Sequence, residues 1–583
     1  MPRATNTITF AKDIAPVVFQ NCSGCHRPGR SGPFSLLSYA DVKKHDRQIA
    51  EVTEKRYMPP WLPDLSVLHL VGERKLSVDQ IGLIQQWVTE GSAEGSPNDL
   101  PALPKWNDDW VLGKPDLVAT AKEPYLLPAD GKDIYRNIIV PVSLASSKFV
   151  EGIEFRGGSK SIHHVFIRMD RTGQARRLER KDGQPGFDGM DVPNGVEAPG
   201  GYFLSWQPGK VPSRVPRGLA WKIEPGTELV LQIHMRPIGK VEAIAPSVAF
   251  YFTDTMPTNT PSKVSLSSLA IDIPAGATNY FVEDSYVLPV DLQLLAVNPH
   301  THYLGRELEG FATLPNGSRQ WLLRIPNWDF NWQGDYQLAE PLFLPKGTKV
   351  EMRYRFDNST NNFHNPNNPP RRVLYGTQSS DEMAELWLQV LPGNKEDLAV
   401  FVRDHSAKLT QNIVSFNQYR LGLNPNDAKA HNKLGQALLA MGKSDDAYGH
   451  LRKAAELDPT LDEAHYFLGI IFRSHNNNSQ AKVAFENSLA LNPNQPKAHG
   501  NLGFVLLELK DFAGAQQHFQ AALKTNPEDD IALMGLGFVA YEQGDLDMAA
   551  AQFQEALRFN PNDPQLKQNL ATVVAARTKS KRK

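Results

Sequence analysis

The sequence has few cysteines, no long apolar run and no excess of charge of either sign. Cys22 and Cys25 are its only two cysteines, which excludes a disulfide framework and any zinc or iron–sulfur site built from cysteine alone. No stretch approaches the roughly 18 to 20 apolar residues of a transmembrane helix, so we predict a soluble chain without an integral membrane segment. A formal net charge of -2 over 583 residues gives no sign of nucleic-acid binding.

Length and pattern predict a multidomain protein. The chain of 583 residues is longer than one hydrophobic core accommodates. A Pro- and Asn-containing stretch at 98–104 separates a helical pattern from short β-branched and aromatic runs at 136–142, 229–235, 248–252 and 349–356. The spacing of these runs is typical of antiparallel β-sandwiches. We predict an all-α domain at 1–97, a linker at 98–114, β-sandwiches at 115–262 and 263–405, and an α-solenoid at 406–583.

An internal repeat occupies the C-terminal region. Pro425, Pro459, Pro493, Pro527 and Pro561 follow one another at intervals of 34 residues, which is the tetratricopeptide period. Alanine, glycine and aromatic residues recur in the same phase, as closely packed helix pairs require. The region resembles the tetratricopeptide-repeat family, which implies a groove that binds a protein or peptide partner. The alternative is that the repeats are an appendage that only stabilises the protein or acts as a spacer.

The two cysteines lie in the motif Cys22-Ser23-Gly24-Cys25-His26. Its C-x-x-C-H spacing places two thiols to form thioethers with the haem vinyl groups and the next imidazole below the iron. A thioredoxin-like pair and half of a zinc site are the alternatives, but no βαβ unit or further cysteine supports them. Helical patterns at 10–20, 39–55 and 78–89 surround the motif.

This N-terminal region resembles the small cytochromes c. The resemblance implies a covalently bound haem c attached through both cysteines, with His26 and a methionine on a Pro-flanked loop as iron ligands. Met58, which precedes Pro59, fits that description, and a thioether ligand raises the reduction potential. The alternatives are that Met58 is a buried core residue, or that His45 or His69 replaces it.

Histidine clusters and one methionine motif stand in the predicted β region. They are His163-His164, Leu231-Gln232-Ile233-His234, His300-Thr301-His302 and Ser379-Ser380-Asp381-Glu382-Met383. His300 and His302 lie on one face of a strand, so they can bind one metal together. His163 and His164 point to opposite faces of a regular strand, so they can share a metal only at a bulge or a strand end. His364 is either an extra ligand or an ordinary loop histidine.

The order of these motifs resembles that of the copper type II, ascorbate-dependent monooxygenases across residues 115–391. This is the family of the peptidylglycine hydroxylating and dopamine β-monooxygenases. The resemblance implies an electron-relay copper held by His163, His164 and His234, and a catalytic copper held by His300, His302 and Met383. It also implies one copper in each sandwich, a solvent-filled cleft between them, and hydroxylation of a C–H bond with O2. Two imidazoles and a thioether favour Cu(I), the form that meets O2.

The sequence departs from this family at the positions that select the substrate. Asn298 stands where the peptide-amidating enzymes place an arginine, and Glu385 and Trp387 stand where they have Asn and Tyr. A peptide ending in glycine is therefore not the expected substrate. The aromatic and Asn-rich segments 325–332 and 358–370 either line the cleft or form loops at the edges of the sandwich.

The leading interpretation is a haem-fused, copper-dependent monooxygenase whose haem replaces or supplements ascorbate as the electron donor. The alternatives are a non-catalytic haem and copper scaffold with a repeat-bound partner, and zinc in the histidine sites with hydrolytic chemistry. Haem attachment to C-x-x-C-H implies a periplasmic or extracytoplasmic location. Residues 1–9 nevertheless lack the charged start and apolar stretch of a signal peptide.

Overall fold

A computed structural model describes residues 8–28, 30, 32–64, 66–106, 110–180, 182–190, 192–193, 195–216, 218–376 and 378–580. The chain divides into two compact units, Met1–His405 and Ser406–Lys583. The first unit holds N-terminal helices followed by a β-rich region, and the second holds helices. The predicted order of an N-terminal region, a β-rich middle and a C-terminal helical stretch is confirmed.

The N-terminal helices pack around Trp87, which is fully buried. A π-helical turn at Phe10–Ile14 continues into α1 (Ala15–Asn21). The single helix predicted at 39–55 is instead two helices, α2 (Tyr39–Lys44) and α3 (Asp46–Glu54), because the backbone leaves helical geometry at His45. The helix α4 (Val78–Thr89) has the predicted bounds and begins with a capping box. A 3-10 turn at Pro97–Asp99 follows.

The β-rich region consists of two halves, each with its own core. The strands of the first half are β1 (Leu117–Thr120), β2 (Tyr125–Leu127), β3 (Ile134–Pro141), β4 (Lys148–Arg156), β5 (Ile162–Asp170), β6 (Phe187–Asp188), β7 (Val196–Glu197), β8 (Ser205–Trp206), β9 (Trp221–Ile223), β10 (Glu228–Met235), β11 (Glu242–Ile244) and β12 (Ser247–Thr253), with the short helix α5 (Gln174–Leu178) after β5. The strands of the second half are β13 (Ser262–Ser267), β14 (Asp272–Ile273), β15 (Tyr280–Val287), β16 (Leu292–Thr301), β17 (Gly305–Thr313), β18 (Arg319–Ile325), β19 (Tyr336–Leu344), β20 (Lys349–Phe356), β21 (Val373–Leu374) and β22 (Ala384–Pro392), with a 3-10 turn at Phe330–Trp332.

Neighbouring strands pair antiparallel in every sheet. The first half has a sheet of order β1-β12-β4-β9 and a six-stranded sheet of order β6-β3-β10-β5-β7 in which β8 pairs with β5. The second half has sheets of order β13-β22-β16-β19 and β15-β20-β17-β18. The pairs β2–β11 and β14–β21 complete the region.

Side-chain alternation leaves one polar face on each sheet that carries predicted ligands. In the first half Val165 and Leu231 point into the core, so His164 and His234 lie on the opposite face. In the second half Leu386 and Leu388 point into the core, so Glu385 and Trp387 lie on the opposite face with His300. The predicted ligands therefore stand outside both cores.

The second unit repeats a pair of antiparallel helices. The long helix α6 (Lys395–Leu423) runs from the first unit into the second. The repeat helices are α7 (Ala428–Ala440), α8 (Ser444–Leu457), α9 (Asp462–Ser474), α10 (Asn478–Leu491), α11 (Pro496–Glu508), α12 (Phe512–Thr525), α13 (Asp530–Glu542), α14 (Leu546–Phe559) and the closing α15 (Pro564–Ser580). Throughout the described residues of both units, no helix combines the length and the apolar character needed to cross a bilayer.

Candidate functional site

Three predicted histidines come together on the outer face of the six-stranded sheet. The strand β10 pairs with β5 so that His234 lies opposite His164, and the register then slips so that Met235 lies opposite Ile162. His163 therefore stands in a bulge, which confirms the condition under which it and His164 can serve one site. The ring centroids of His163 and His164 lie 5.1 and 4.9 Å from that of His234.

His234 is held in an orientation that suits a metal ligand. Its Nε2 lies 2.9 Å from Asp133 Oδ2, and the ring of Tyr135 stacks on it at 4.4 Å. Its Nδ1 is buried and has no hydrogen-bond partner in the described part of the chain. With Nε2–H donating to the carboxylate, Nδ1 keeps its lone pair. A carboxylate fixes the tautomer of metal-binding imidazoles in the same way.

The second group lies on the paired strands β16 and β22. His300 lies opposite Glu385. His302 directly follows β16 and Met383 directly precedes β22, so the same register places these two residues side by side. The rings of His300 and His302 lie 5.2 Å apart. Because alternate residues share a face, Met383, Glu385 and Trp387 line the strand next to the two histidines. The structure thus brings together the residues predicted for the catalytic copper.

A buried carboxylate holds this second group in place. Glu382 accepts hydrogen bonds from Thr301 Oγ1 at 2.7 Å and from the backbone N–H groups of His302, Leu304 and Met383. Burial raises the pKa of Glu382 to about 7, although these hydrogen bonds favour the ionised form. One side chain therefore ties the His-Thr-His segment to the methionine segment.

Gln333 joins the two histidine groups. Its Oε1 lies 2.7 Å from His300 Nδ1, and its Nε2 lies 3.3 Å from His164 Nδ1. Both histidines and the amide line a small, partly open cavity. Phe330 also contacts both groups, with ring distances of 6.5 Å to His234 and 5.6 Å to His302. Gln333 and Phe330 therefore connect the two histidine groups.

Burial favours the neutral form of four of these histidines, which are His163, His164, His300 and His302. Burial lowers the pKa of His300 to about 3 and that of His302 to about 4, and it lowers the pKa values of His163 and His164 as well. Neutral imidazole is the form that binds a metal. Among the described residues, no three His, Cys, Asp or Glu side chains already converge as a complete metal site.

The C-x-x-C-H motif caps the end of α1. The backbone N–H of His26 donates to Cys22 O at 2.9 Å, and His26 Nδ1 lies 3.1 Å from Phe34 O. Donation from Nδ1–H leaves the lone pair of Nε2 for an axial bond. A Cβ atom at Gly32 would lie 2.8 Å from His26 Cα, so this close approach requires glycine. Burial and the neighbouring Cys25 raise the pKa of Cys22 to about 12.

The other predicted haem ligands have different surroundings. Met58 is half-buried in the turn after α3, where its N–H donates to Val52 O at 3.0 Å. His45 stacks on Phe34 at 3.8 Å, next to the motif. The side chain of His69 is 87% exposed, which does not suit an axial ligand. His364 packs on the neighbouring ring of Phe363.

Comparison with known proteins identifies the C-terminal region. Two family models, both described as tetratricopeptide repeat, match residues 428–461 and 503–564. The C-terminal region consists of tetratricopeptide repeats. Among similar solved structures, MamA from Desulfovibrio magneticus RS-1 is 24% identical, and the match covers 26% of this chain and 85% of that chain with a TM-score of 0.25. PilF of Pseudomonas aeruginosa is 27% identical, and the match covers 26% of this chain and 69% of that chain with a TM-score of 0.25. The repeat protein YrrB is 24% identical, and the match covers 28% of this chain and 84% of that chain with a TM-score of 0.26. No curated protein matches the chain.

The tetratricopeptide repeats pack through glycines that face aromatic rings. A Cβ atom at Gly469 or Gly503 would lie 2.6 or 2.7 Å from the ring of Phe485 or Phe519. These contacts confirm the predicted roles of the in-phase glycine and aromatic positions.

Polar side chains also link successive tetratricopeptide repeats. Glu463 on α9 accepts hydrogen bonds from Asn432, Lys433 and Gln436 on α7. The first helices of these two repeats thus share a charged cluster.

Three residues of the site were not assigned a role from sequence. Gln333 directly follows the aromatic segment 325–332, and that position was the only available signal. Glu382 lies within the methionine motif, but a motif does not show which carboxylate is buried. Asp133 belongs to no motif, since only the pairing of β3 with β10 brings it to His234.

Proposed function

We propose that the chain is a haem-fused, copper-dependent monooxygenase. The observation that carries this proposal is that two histidine groups from separate β cores meet at the single side chain of Gln333. The residues that would hold copper are His163, His164 and His234 in one group, and His300, His302 and Met383 in the other. The buried, unpaired Nδ1 of His234 and the neutral imidazoles fit this donor set.

Bound copper would supply one-electron chemistry with O2. In the overall reaction a substrate C–H bond, O2, two electrons and two protons give an alcohol and water. The chain itself contributes orientation: Asp133 fixes the tautomer of His234, and Glu382 fixes the backbone of His302 and Met383. Such positioning of ligands typically changes metal affinity or activity by about 10- to 100-fold.

The walls of the cavity suggest the kind of substrate. Phe166, Trp206 and Trp387 contribute aromatic surface beside His300, and Asn298 contributes an amide. Such a wall suits an apolar organic group with one hydrogen-bonding function. An anionic peptide terminus is not proposed, because Asn298 provides no positive charge.

The N-terminal region would supply the electrons. Cys22, Cys25 and His26 would hold a haem c, with Met58 or His45 as the second axial ligand. The Phe34 carbonyl that orients His26 supports this assignment. Ascorbate is an alternative reductant. Covalent haem attachment places the protein in the periplasm or elsewhere outside the cytoplasm under this proposal.

The tetratricopeptide repeats would bind a protein partner. The first helices of the repeats carry both apolar and charged side chains, such as Tyr466 and Glu463. Arrays of this kind present long surfaces suited to a peptide segment.

Metal analysis followed by O2 consumption tests the proposed function. We expect two copper ions per chain, a Cu(II) resonance signal that reduction removes, and O2 consumption with ascorbate and candidate substrates. The variants His234→Ala and His300→Ala should each lose one ion, whereas the control His69→Ala, an exposed position, should lose none. Copper binding without O2 consumption would instead indicate a redox scaffold, and zinc without copper would contradict the proposal.

The haem contribution is tested separately with His26→Ala. This variant should keep turnover with ascorbate and lose turnover with a donor that reduces only the haem. Full turnover with the haem-specific donor would show that the haem is not the electron source.

A further inference from the structure

The loop after α3 is joined to the sheet that carries His300. Leu70 forms a bridge with Leu338 on the edge strand β19. The N–H of Val71 donates to Gln337 O at 2.8 Å, and the N–H of Ala339 donates to His69 O at 3.0 Å. Backbone hydrogen bonds therefore fix this loop, which begins next to Met58, against the second half of the β-rich region.

Aromatic side chains fill the contact between the loop and the sheet. The rings of Trp61 and Tyr336 lie 5.6 Å apart, and those of Tyr57 and Trp332 lie 6.1 Å apart. Both distances are typical of packed edge-to-face pairs. The indole N–H groups of Trp61 and Trp332 are buried without a hydrogen-bond partner among the described residues, so packing holds these rings.

The same contact lies beside Met58, one of the candidate haem ligands. Trp61, Arg74, Trp332 and Tyr336 line one small cavity. Pro60 lines the same cavity, and Tyr57, whose ring packs on Trp332, directly precedes Met58. The cavity and the Tyr57–Trp332 contact therefore flank Met58, a candidate iron ligand.

Trp332 is also adjacent to the histidine groups. The next residue, Gln333, contacts His300 at 2.7 Å and His164 at 3.3 Å. One dipeptide thus touches the loop from the haem region at one end and both histidine groups at the other. Chains of packed side chains of this kind can carry coupling between two sites.

We propose that Trp332 and Gln333 form the electron-transfer junction between the haem and the two histidine groups. This inference rests on the proposed function, since it needs haem at Cys22 and Cys25 and copper at the histidines. Each transfer oxidises Fe(II) to Fe(III) and reduces one Cu(II) to Cu(I). No proton is transferred in this step, so it needs no further reactant.

Flash photoreduction of the haem tests the junction in the full-length protein. Protein loaded with haem and Cu(II) receives one electron at the haem from an external photoreductant without O2, and haem absorbance reports its reoxidation. In Trp332→Leu the reoxidation rate should fall by about tenfold or more, and Trp332→Phe, which keeps a ring, should lose less. Copper content and the haem reduction potential, measured in parallel, should match those of the unaltered protein.

Two further variants complete the experiment. Trp321→Leu is the matched control, because Trp321 packs on Phe311 at 5.9 Å on another sheet and should keep the original rate. Tyr57→Leu removes the loop ring that packs on Trp332 and should slow reoxidation even if Trp332→Leu does not fold. Unaltered protein whose haem is not reoxidised by copper would overturn the proposed electron source. Rapid reoxidation in the unaltered protein, with an equal rate in Trp332→Leu or, where that variant does not fold, in Tyr57→Leu, would overturn the junction alone.

Discussion

At the scale of single residues, burial and a fixed hydrogen bond orient the rings of His234, His300 and His302. Burial keeps His300 and His302 neutral, and the partners of their Nδ1 atoms are Gln333 Oε1 and the carbonyl of Asp381. Since Nδ1–H donates in each case, Nε2 keeps its lone pair. His234 shows the reverse arrangement, with Nε2 bound to a carboxylate and Nδ1 unpaired.

The substitution Asp133→Asn should weaken copper binding at the first histidine group. An amide is a poorer acceptor than a carboxylate, so the tautomer and basicity of His234 are less well fixed. We expect the affinity of one copper ion to fall by about 10- to 100-fold, measured by competition with a chelator. Asp130→Asn, at an exposed position close by, is the control and should bind copper normally. Equal affinities in the two variants would argue against His234 as a ligand.

A second residue-scale prediction concerns acid stability near β3. The fully buried Arg136 pairs with Asp182 and Asp188, and the hydrogen bond from Arg136 lowers the pKa of Asp182 from 3.8 to about 2. A lowered carboxyl pKa contributes stability that is present above about pH 4 and is lost as pH falls toward 2. Because Asp182 is 43% exposed, solvent screening reduces the effect.

The variant Asp182→Asn should therefore be less stable than the unaltered protein near neutral pH. The difference should shrink as pH falls from about 4 to 2, since protonation then removes the same charge from the unaltered protein. Urea unfolding followed by tryptophan fluorescence measures the free energy of unfolding of both proteins at each pH. The prediction fails if the difference is independent of pH.

At the scale of elements, regular patterns were predictable and local departures from them were not. The helix α4 and the strand β20 have the bounds that the sequence predicts, because apolar periodicity and capping residues fix them. The break between α2 and α3 at His45 was missed, since the apolar period continues across it. The bulge at His163 was predicted only as a condition for sharing a metal, and strand pairing decided it.

Two glycines on α11 provide an element-scale prediction. A Cβ atom at Gly503 would lie 2.7 Å from the ring of Phe519, whereas a Cβ atom at Gly500 meets nothing within 4 Å. Gly503→Ala should destabilise the repeats by about 1–3 kcal/mol through overpacking. Gly500→Ala should be neutral or stabilise them by up to about 1 kcal/mol through helix propensity.

Urea unfolding followed by circular dichroism at the helix band measures both substitutions. Both variants replace a glycine of the same helix with alanine. Changes of opposite sign in the free energy of unfolding would therefore identify the packing contact as the cause. Similar effects in both would contradict the role assigned to Gly503.

At the scale of the whole molecule, the two units should respond separately to copper. All ten tryptophans lie between Trp61 and Trp387, within the first unit, whereas the second unit consists of helices. Tryptophan emission therefore reports the first unit, and helical circular dichroism reports mainly the second. Stoichiometric copper should raise the unfolding temperature measured by tryptophan emission wavelength. It should leave the unfolding temperature measured by helical circular dichroism unchanged, because a ligand stabilises only the unit that binds it.

Chelation of the copper should return the emission transition to its original temperature. A copper-dependent shift in the helical transition, with no shift in emission, would place the metal outside the first unit. His234→Ala is the control and should show a smaller shift in emission.

The sequence by itself determined the repeats, the C-x-x-C-H motif and the identity of the candidate ligands. These depend on short-range spacing: a 34-residue period, two cysteines followed by a histidine, and alternation along a strand. Only the tertiary structure decided that Gln333 joins the two histidine groups, that Asp133 orients His234, and that Trp332 meets the loop near Met58. Those contacts join residues far apart in the chain, and only the packing of the strands and of the N-terminal loop brings them together.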